Sequence, residues 1–441
     1  MTPTALDILR GPLSGLPGAI TLEPVCGPIE ATVTPPGSKS LANRALTLAL
    51  LGFGQTTLEN VPEEADDIRV MLDALPRLGA ALERAGDGSY RITGTSGRPI
   101  GGATLDLHNA GTATRFLTAA GALADAPVVI DGDARMRRRP IGALVEALRS
   151  IGAGAEYVGA DGFPPVRVGG NDPASWSDQV EFAQTASSQF ISATLLMAPF
   201  CPNGLQVRLV GEVTSAPYVR MTEAMVGLLG DGAPCLGTFM IEPDASGAAP
   251  FVAVRAVVPG STITVPGIGA HSLQGDARFA QVVDGIVDGG AVGAFDVDLS
   301  DMPDTAMTLA AVACFADGPS TIRGLRTLRV KETDRIAALV AELAKVGVTV
   351  EVFKHDSPGG NPDEGIRVTP PLCGGACGID CSADAPPVAF DTYNDHRMPM
   401  SLALIGLRRP NVTINDPACV AKTYPRFWRD FASLYAGVKS A

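Results

Sequence analysis

The sequence predicts a mixed α/β protein built from two domains. The chain has 441 residues, more than one hydrophobic core usually supports, so two domains are expected. In six places an amphipathic helical segment ends at a glycine and a β-rich run follows. These glycines are Gly79, Gly152, Gly230, Gly290, Gly347 and Gly406. Spacings of about 60 to 80 residues suit one supersecondary unit used several times. Glycine also ends helices in unrelated α/β proteins, so this pattern alone leaves the repeat open.

Composition and charge exclude several classes of partner. The formal net charge is -13, so we expect no nucleic-acid or anionic-membrane surface, because the field of the protein repels polyanions. The first twenty residues lack a basic region followed by a long apolar core, so neither a signal nor a transit peptide is expected. The best apolar stretch, Phe190 to Phe200, is too short for a membrane span. We therefore expect a cytoplasmic protein.

The cysteines and histidines do not predict a metal cofactor. Eight cysteines in so long a chain indicate reduced thiols rather than a disulfide scaffold. Cys373, Cys377 and Cys381 are spaced more widely than most zinc knuckles and have no fourth ligand nearby. None of the four histidines pairs with another at ligand spacing.

The first chemical motif is TPPGSKSLANRAL, which places Lys39, Ser40 and Arg44 in the first turns of a helix. Free backbone N–H groups at a helix start favour anions. A nucleotide-type phosphate loop is excluded because Ser38 stands where that loop needs glycine. A solvated basic helix start is the alternative reading of this motif.

The next two motifs are LHNAGTATRFL and RMRRRPIGAL. In the first, Gly111 allows close backbone approach, Thr112 can cap a helix, and Arg115 follows one turn later. The second has four arginines before a proline that can open a helix: Arg135, Arg137, Arg138 and Arg139. The acidic total argues against nucleic acid here and leaves small anions.

Neutral donors follow in ASSQFISATLLMAP. Ser187, Ser188 and Gln189 stand just ahead of an apolar helix, where hydroxyl and amide groups suit a polyol or a phosphate. Ordinary serine caps are the alternative.

The C-terminal half carries four further groups. RVKETDR is predicted to place Lys331, Glu332 and Arg335 in the first turn of an amphipathic helix. Upstream, Asp304 is predicted at a helix cap. Downstream, Asp395, His396 and Arg397 are clustered just before a helix that a proline is predicted to open. The fourth group is Lys422, in VAKTYPRFW. Helix N-termini by themselves prefer acids, so cations and hydroxyls at five or six helix starts indicate a multiply charged anionic ligand.

Taken together, nine motifs resemble those of 5-enolpyruvylshikimate-3-phosphate synthases in identity and order, from about residue 20 to about residue 430. They are PPGSKSLANRAL, LHNAGTATRFL, RRPIGALVEAL, SSQF, SAPYVRMT, PDTAMT, RVKETDR, TYNDHRM and AKTYP. The resemblance implies two inside-out α/β barrel domains, each of three repeated β-α units, with a cleft between them. It divides the chain into an extension and first strand of domain I (1–34), domain II (35–244) and the remainder of domain I (245–441).

The resemblance also implies an activity. The enzyme would transfer the carboxyvinyl group of phosphoenolpyruvate to the 5-hydroxyl of shikimate 3-phosphate, the sixth step of chorismate biosynthesis, through a tetrahedral intermediate. It would act as a monomer, without metal or organic cofactor.

Residue roles follow from the same resemblance. Shikimate 3-phosphate would be held by Lys39, Ser40, Arg44, Ser187, Ser188, Gln189, Ser215, Tyr218, Asp304 and Lys331. Phosphoenolpyruvate would be held by Lys39, Gly111, Arg139, Gln189, Arg335, Arg397 and Lys422. The catalytic groups would be Asp304 and Glu332 as the proton-transfer pair, with Lys39 and Lys422.

Three positions depart from the family pattern. Thr327 stands where many members have an asparagine that touches the shikimate hydroxyls, Phe116 replaces a common proline, and His108 replaces a glycine. We expect Phe116 and His108 to reshape the rear wall of the phosphoenolpyruvate pocket without touching the chemistry.

Two other functions fit parts of the pattern. A UDP-N-acetylglucosamine enolpyruvyl transferase would need a loop cysteine where this chain has RMRRRP. An inactive relative could bind shikimate phosphate as a sensor, but Asp304, Glu332, Lys39 and Lys422 are all present.

Overall fold

The protein is a mixed α/β protein whose elements fall into two units, which confirms the predicted class. The structure, a computed structural model, describes residues 5–183, 187–211, 215–230, 232–357, 361–373 and 376–439. One unit, here the insert unit, is Pro36–Glu242. The other, the terminal unit, combines Met1–Pro35 with Pro243–Ala441.

The first elements are one helix and two strands of the terminal unit: α1 (Ala5–Arg10), β1 (Ala19–Leu22) and β2 (Glu30–Thr32). The insert unit then begins with α2 (Lys39–Leu51), β3 (Gln55–Glu59), α3 (Asp66–Arg77), β4 (Ala81–Gly86) and β5 (Ser89–Thr93). It continues with β6 (Thr104–Asp106), α4 (Gly111–Ala122), β7 (Val128–Asp131), α5 (Gly142–Ser150), β8 (Ala155–Tyr157) and β9 (Val166–Val168). It ends with β10 (Gln179–Ala183), α6 (Ser188–Met197), β11 (Gln206–Val210), α7 (Ala216–Val226) and β12 (Thr238–Met240).

The terminal unit resumes with α8 (Ala245–Val257), β13 (Thr262–Thr264), α9 (Phe279–Ile286), β14 (Val287–Asp288) and β15 (Ala291–Val292). Its middle part contains β16 (Asp296–Asp298), α10 (Ala306–Ala313), β17 (Ser320–Arg323), α11 (Arg335–Ala344), β18 (Thr349–Asp356) and β19 (Pro362–Thr369). The last elements are β20 (Leu372–Cys373), β21 (Ala376–Cys377), β22 (Val388–Phe390), α12 (Arg397–Gly406), β23 (Val412–Asn415) and α13 (Phe427–Ala436).

Three four-stranded sheets share one topology. Their strand orders are β12-β3-β5-β4, β6-β7-β9-β8 and β16-β17-β19-β18. In each, the first two strands are parallel and the other neighbours are antiparallel. The parallel pairs β10-β11, β2-β13 and β22-β23 follow the same plan in smaller sheets, and β1 adds antiparallel to β23. In four of these six parallel pairs the chain runs from one strand through a helix directly into the second: β6-α4-β7, β10-α6-β11, β16-α10-β17 and β22-α12-β23. The strands of the other two pairs, β3 with β12 and β2 with β13, are far apart in sequence.

The glycines mark the predicted repeat only in part. Gly79, Gly152 and Gly347 follow α3, α5 and α11 with φ of 96°, 95° and 80°, a left-handed conformation that glycine adopts without steric cost. The prediction was wrong at Gly290, because α9 already ends at Ile286 and Gly290 lies in the turn between β14 and β15.

Among the described residues, the buried helices α2, α4 and α6 pack against one another in the insert unit, and α8, α10 and α12 do so in the terminal unit. Every residue of α4, α10 and α12 is buried. Their alanine, glycine and threonine residues permit close helix packing, and apolar burial of this extent is the main source of stability. In each unit, the side chains that precede or begin these helices include the motif residues described below.

Candidate active site

In the insert unit, α2 begins at Lys39, as predicted. Ser38 is the N-cap, and its hydroxyl accepts from the Leu41 N–H at 3.5 Å. The Lys39 Nζ lies 3.2 Å from a carboxylate oxygen of Asp67, which is 3% exposed. Asp67 lies in the first turn of α3 and was not anticipated from sequence, because nothing in the local pattern pairs it with a lysine 28 positions earlier.

Arg44 is a buried residue that joins the three helices α2, α6 and α7. Its Nε donates to Thr222 Oγ1 at 2.7 Å, Nη1 to the Ser40 carbonyl at 2.8 Å, and Nη2 to Ser192 Oγ at 3.3 Å and the Tyr218 carbonyl at 2.9 Å. Burial lowers the pKa of Arg44 to about 10, so it stays charged at neutral pH.

The Phe116 ring lies against the guanidinium group of Arg44. The ring is fully buried in α4, and the Arg44 Cζ lies 5.3 Å from its centroid. This departure from the family pattern therefore contacts the arginine assigned to shikimate 3-phosphate.

The start of α4 is covered by Arg139. A Cβ at Gly111 would lie 2.6 Å from Arg139 Nη2, so only glycine allows this approach. Arg139 Nη1 donates to the carbonyl of Asn109 at 3.2 Å and to its Oδ1 at 3.1 Å, while its buried Nε has no hydrogen-bond partner in the described structure. His108 has φ of 50°, which explains why glycine suits that position.

The start of α6 has the serine cap that was the alternative reading of this motif, and α6 also contacts α4 here. The Ser187 hydroxyl accepts from the Gln189 N–H at 3.2 Å, and Ser188 is buried in the first turn. Gln189 Nε2 donates to Thr112 Oγ1 at 3.2 Å. The prediction that Thr112 caps α4 was wrong, because the N-cap is Ala110 and makes no side-chain cap bond.

Ser215 and Tyr218 flank the start of α7. Ser215 is its N-cap, is buried, and has φ of 56°. Its hydroxyl makes no cap bond.

In the terminal unit, Arg335 contacts three carboxylates. Its Nε and Nη2 bind both oxygens of Asp395 at 2.8 and 3.2 Å, Nη1 binds Asp304 Oδ1 at 2.8 Å, and Nη2 also binds Glu332 Oε2 at 3.1 Å. Arg335 is 1% exposed. Burial works against its charge, but the carboxylates of Asp395, Glu332 and Asp304 outweigh this and raise the pKa of Arg335 above its ordinary value.

Two lysines complete the cluster. Lys331 Nζ lies 3.2 Å from Asp304 Oδ1, and Lys422 Nζ lies 4.0 Å from Glu332 Oε1. The structure thus brings together Asp304, Lys331, Glu332, Arg335 and Lys422.

The predicted helical context of three of these residues was wrong. Lys331 and Glu332 precede α11, because Asp334 is the N-cap and accepts from the Ala337 N–H at 3.0 Å. Asp304 lies in a 3₁₀ turn, Pro303–Thr305, rather than at the cap of α10, where Thr305 makes no cap bond.

Arg397 begins α12, and its N–H donates to Asp395 Oδ1 at 2.9 Å. Pro399 is the third residue of this helix, so the prediction that a proline opens the helix was wrong. The Nε and Nη1 of Arg397 are buried without a hydrogen-bond partner in the described residues. Like Arg139, Arg397 therefore presents donors suited to an anion.

Asp276 was missed by sequence analysis. It is buried, accepts a hydrogen bond from Ser246 Oγ at the start of α8, and lies within electrostatic range of Asp304 and Arg397. Burial raises the pKa of the Asp276 carboxyl to about 7; the charge of Asp304 adds to this, and Ser246 and Arg397 oppose it. Asp276 has no motif of its own, and only the tertiary structure reveals it.

Other predicted features lie outside this cluster. Thr327 is buried, and its hydroxyl has no hydrogen-bond partner in the described structure. The side chains of Cys373 and Cys377 lie outside the described residues. Across the parts that are described, no group of three or more His, Cys, Asp or Glu could hold a metal ion. Within the same ranges, every helix is too short or too polar to cross a membrane.

Comparison with known proteins gives one consistent result. Residues 25–431 match the family model of EPSP synthase (3-phosphoshikimate 1-carboxyvinyltransferase). A 3-phosphoshikimate 1-carboxyvinyltransferase of Thiobacillus denitrificans is 41% identical over 439 residues, covering 92% of this chain and 97% of that protein. The protein of the same name from Tolumonas auensis is 39% identical, with 94% and 99% coverage.

A solved structure of EPSP synthase from Acinetobacter baumannii matches with a TM-score of 0.70 at 21% identity, covering 94% of this chain and 98% of that one. At this identity the structural match shows a shared fold.

Proposed function

Because the chain belongs to the EPSP synthase family, as its motifs predicted, we propose that it transfers the carboxyvinyl group of phosphoenolpyruvate to the 5-hydroxyl of shikimate 3-phosphate. Phosphate is the second product, and the reaction is a step in the biosynthesis of chorismate and the aromatic amino acids. Relatives that carry the name of this transferase match over nearly the full length of both chains.

One observation supports this activity most directly: Asp304 and Glu332 are held in one cluster with Arg335, Lys331 and Lys422. Addition to phosphoenolpyruvate needs one group to accept the hydroxyl proton and another to protonate a carbon. It also needs cations for two phosphates and a carboxylate. The cluster contains both kinds of group.

In the proposed mechanism, Asp304 accepts the proton of the 5-hydroxyl as its oxygen attacks C2 of phosphoenolpyruvate. Glu332, helped by Lys39, protonates C3 and gives the tetrahedral intermediate. The C2–O bond to phosphate then breaks and the methyl group loses a proton, while Lys422 and the arginines neutralise the leaving phosphate.

The ligand assignments are part of this proposal. Shikimate 3-phosphate would contact Lys39, Ser40, Arg44, Ser187, Ser188, Gln189, Ser215, Tyr218, Asp304 and Lys331. Phosphoenolpyruvate would contact Lys39, Gly111, Arg139, Gln189, Arg335, Arg397 and Lys422. The buried guanidinium nitrogens without hydrogen-bond partners on Arg139 and Arg397 support the second assignment. The insert unit would be the shikimate-phosphate-binding half and the terminal unit the catalytic half.

A phosphate-release assay tests the activity against its two alternatives. We expect release only when phosphoenolpyruvate and shikimate 3-phosphate are both present. Release with UDP-N-acetylglucosamine in place of shikimate 3-phosphate would identify the related transferase. Binding of shikimate 3-phosphate without any release would identify an inactive sensor.

We also propose that both units are inside-out α/β barrels of three repeated β-α units, and that the enzyme is a cytoplasmic monomer. The recurring strand–helix–strand unit and the three buried helices of each unit support the barrel assignment. Light scattering at the concentration of the activity assay would test the monomer.

A further inference from the structure

The turn before Arg397 has an unusual residue in a demanding position. The Asp395 N–H donates to the Thr392 carbonyl at 2.9 Å, and the residues between them, Tyr393 and Asn394, have φ of 57° and 52°. Two positive φ values in the centre of a turn are those of a type I′ turn, which prefers glycine, asparagine or aspartate. A tyrosine crowds its own backbone there, so contacts outside the turn have to hold it.

Glu342 supplies these contacts. It is fully buried in α11, and its Oε1 accepts from the Tyr393 hydroxyl at 2.6 Å. Its Oε2 accepts from the Asp391 N–H at 2.8 Å and lies 2.7 Å from Lys345 Nζ. One buried carboxylate therefore binds both the segment entering the turn and the turn itself.

Asp395 ends this turn, and Arg397 comes two residues later in the sequence. Asp395 makes the two-bond contact with Arg335, and its Oδ1 also accepts from the N–H of Arg397. Any shift of the turn moves the Asp395 carboxylate and the first residue of α12 together.

We infer that Glu342 is a positioning residue that acts through Tyr393 to place Asp395 and Arg397 for phosphoenolpyruvate. The inference rests on the proposed function. Neither side chain contacts the reacting atoms in this scheme, so loss of the anchor affects substrate affinity more than the chemical step.

The test compares two tyrosines of the terminal unit. The Tyr435 hydroxyl donates to the Glu23 carbonyl at 2.7 Å, and Tyr435 has no role in the proposed mechanism or ligand contacts, so Tyr435→Phe is the matched control for Tyr393→Phe. Each change removes one hydroxyl hydrogen bond. We expect Tyr393→Phe to raise KM for phosphoenolpyruvate roughly tenfold with kcat within about twofold, and Tyr435→Phe to leave KM unchanged.

Coupling and hydrogen exchange complete the test. If Glu342 acts through Tyr393, adding Tyr393→Phe to Glu342→Gln raises KM little beyond the larger single effect. Amide exchange at residues 391–397 should accelerate in Tyr393→Phe and not in Tyr435→Phe. Unchanged exchange there, or equal KM in the two phenylalanine variants, overturns the inference. A wild-type protein without phosphate release would refute the proposed function, while the exchange measurement would still decide the anchoring.

Discussion

Two arginine–aspartate pairs of the terminal unit each make two contacts but lie in very different surroundings, and their comparison tests the role of the buried one. Arg335 and Asp395 make two bonds of 2.8 and 3.2 Å with side chains 2% and 0% exposed. Arg323 and Asp296, in the same unit, make two bonds of 2.9 and 2.6 Å with side chains 37% and 53% exposed. Asp395→Asn and Asp296→Asn remove the same charge from each pair.

The expected magnitudes differ. Removing one partner of a buried ion pair costs about 3–5 kcal/mol, because the remaining charge is left uncompensated. Arg335 keeps Glu332 and Asp304, so we expect the lower end, about 3 kcal/mol, for Asp395→Asn. The exposed pair is worth at most about 1 kcal/mol.

Trp428 provides the assay. The chain has two tryptophans, Trp428 in the terminal unit and Trp176 in the insert unit. In a Trp176→Phe background, urea unfolding followed by Trp428 fluorescence reports the free energy of unfolding of the unit that holds both pairs. Equal losses in Asp395→Asn and Asp296→Asn would refute the argument that burial makes the first pair structurally essential.

Three further outcomes are expected. Glu332→Gln should retain both substrates but lose turnover by about a hundredfold or more, because an amide cannot protonate carbon; single-turnover rates near wild type would remove Glu332 from that role. Activity should survive a strong chelator, since lysines and arginines offset the substrate charges, and a requirement for added divalent ion would contradict the mechanism. Asp276 keeps its proton up to about pH 7 when folded but loses it near pH 4 when unfolded, so it lowers the stability of the folded state as pH rises between these values. We therefore expect the stability advantage of Asp276→Asn over wild type to grow as pH rises through this window, by on the order of 4 kcal/mol in the free energy of unfolding. If the unfolding free energies of the two proteins changed in parallel with pH, the raised pKa of Asp276 would be disproved.

Local sequence signals predicted well what local interactions determine. The α/β class followed from the alternation of helical and β-rich segments, and the family from the order of its motifs. The start of α2 at Lys39 and the serine cap of α6 follow from side chains within three residues. The error at Glu332 has the same origin, because Asp334 competes as a cap only two residues later.

Long-range pairing could not be predicted in this way. The ion pair of Asp67 and Lys39, the hydrogen bond between Asp276 and Ser246, and the contact between Glu342 and Tyr393 join residues from separate elements. No periodicity records such contacts, since they depend on which helices pack together. The ligand roles of the individual residues stay predictions.

The pairing of β1 with β23 has a consequence for synthesis on the ribosome. Ala19 pairs with Asn415 and Leu22 with Val412, so the partner of β1 emerges nearly four hundred residues after it. At about 5–20 residues per second that delay is roughly 20–80 s. During it the insert unit can complete its own sheets, since β12 pairs with β3. The apolar side chains of Ile20 and Leu22 are buried in the finished protein, and during this interval they lack their partner strand. An unpaired apolar strand of this kind favours aggregation of the nascent chain.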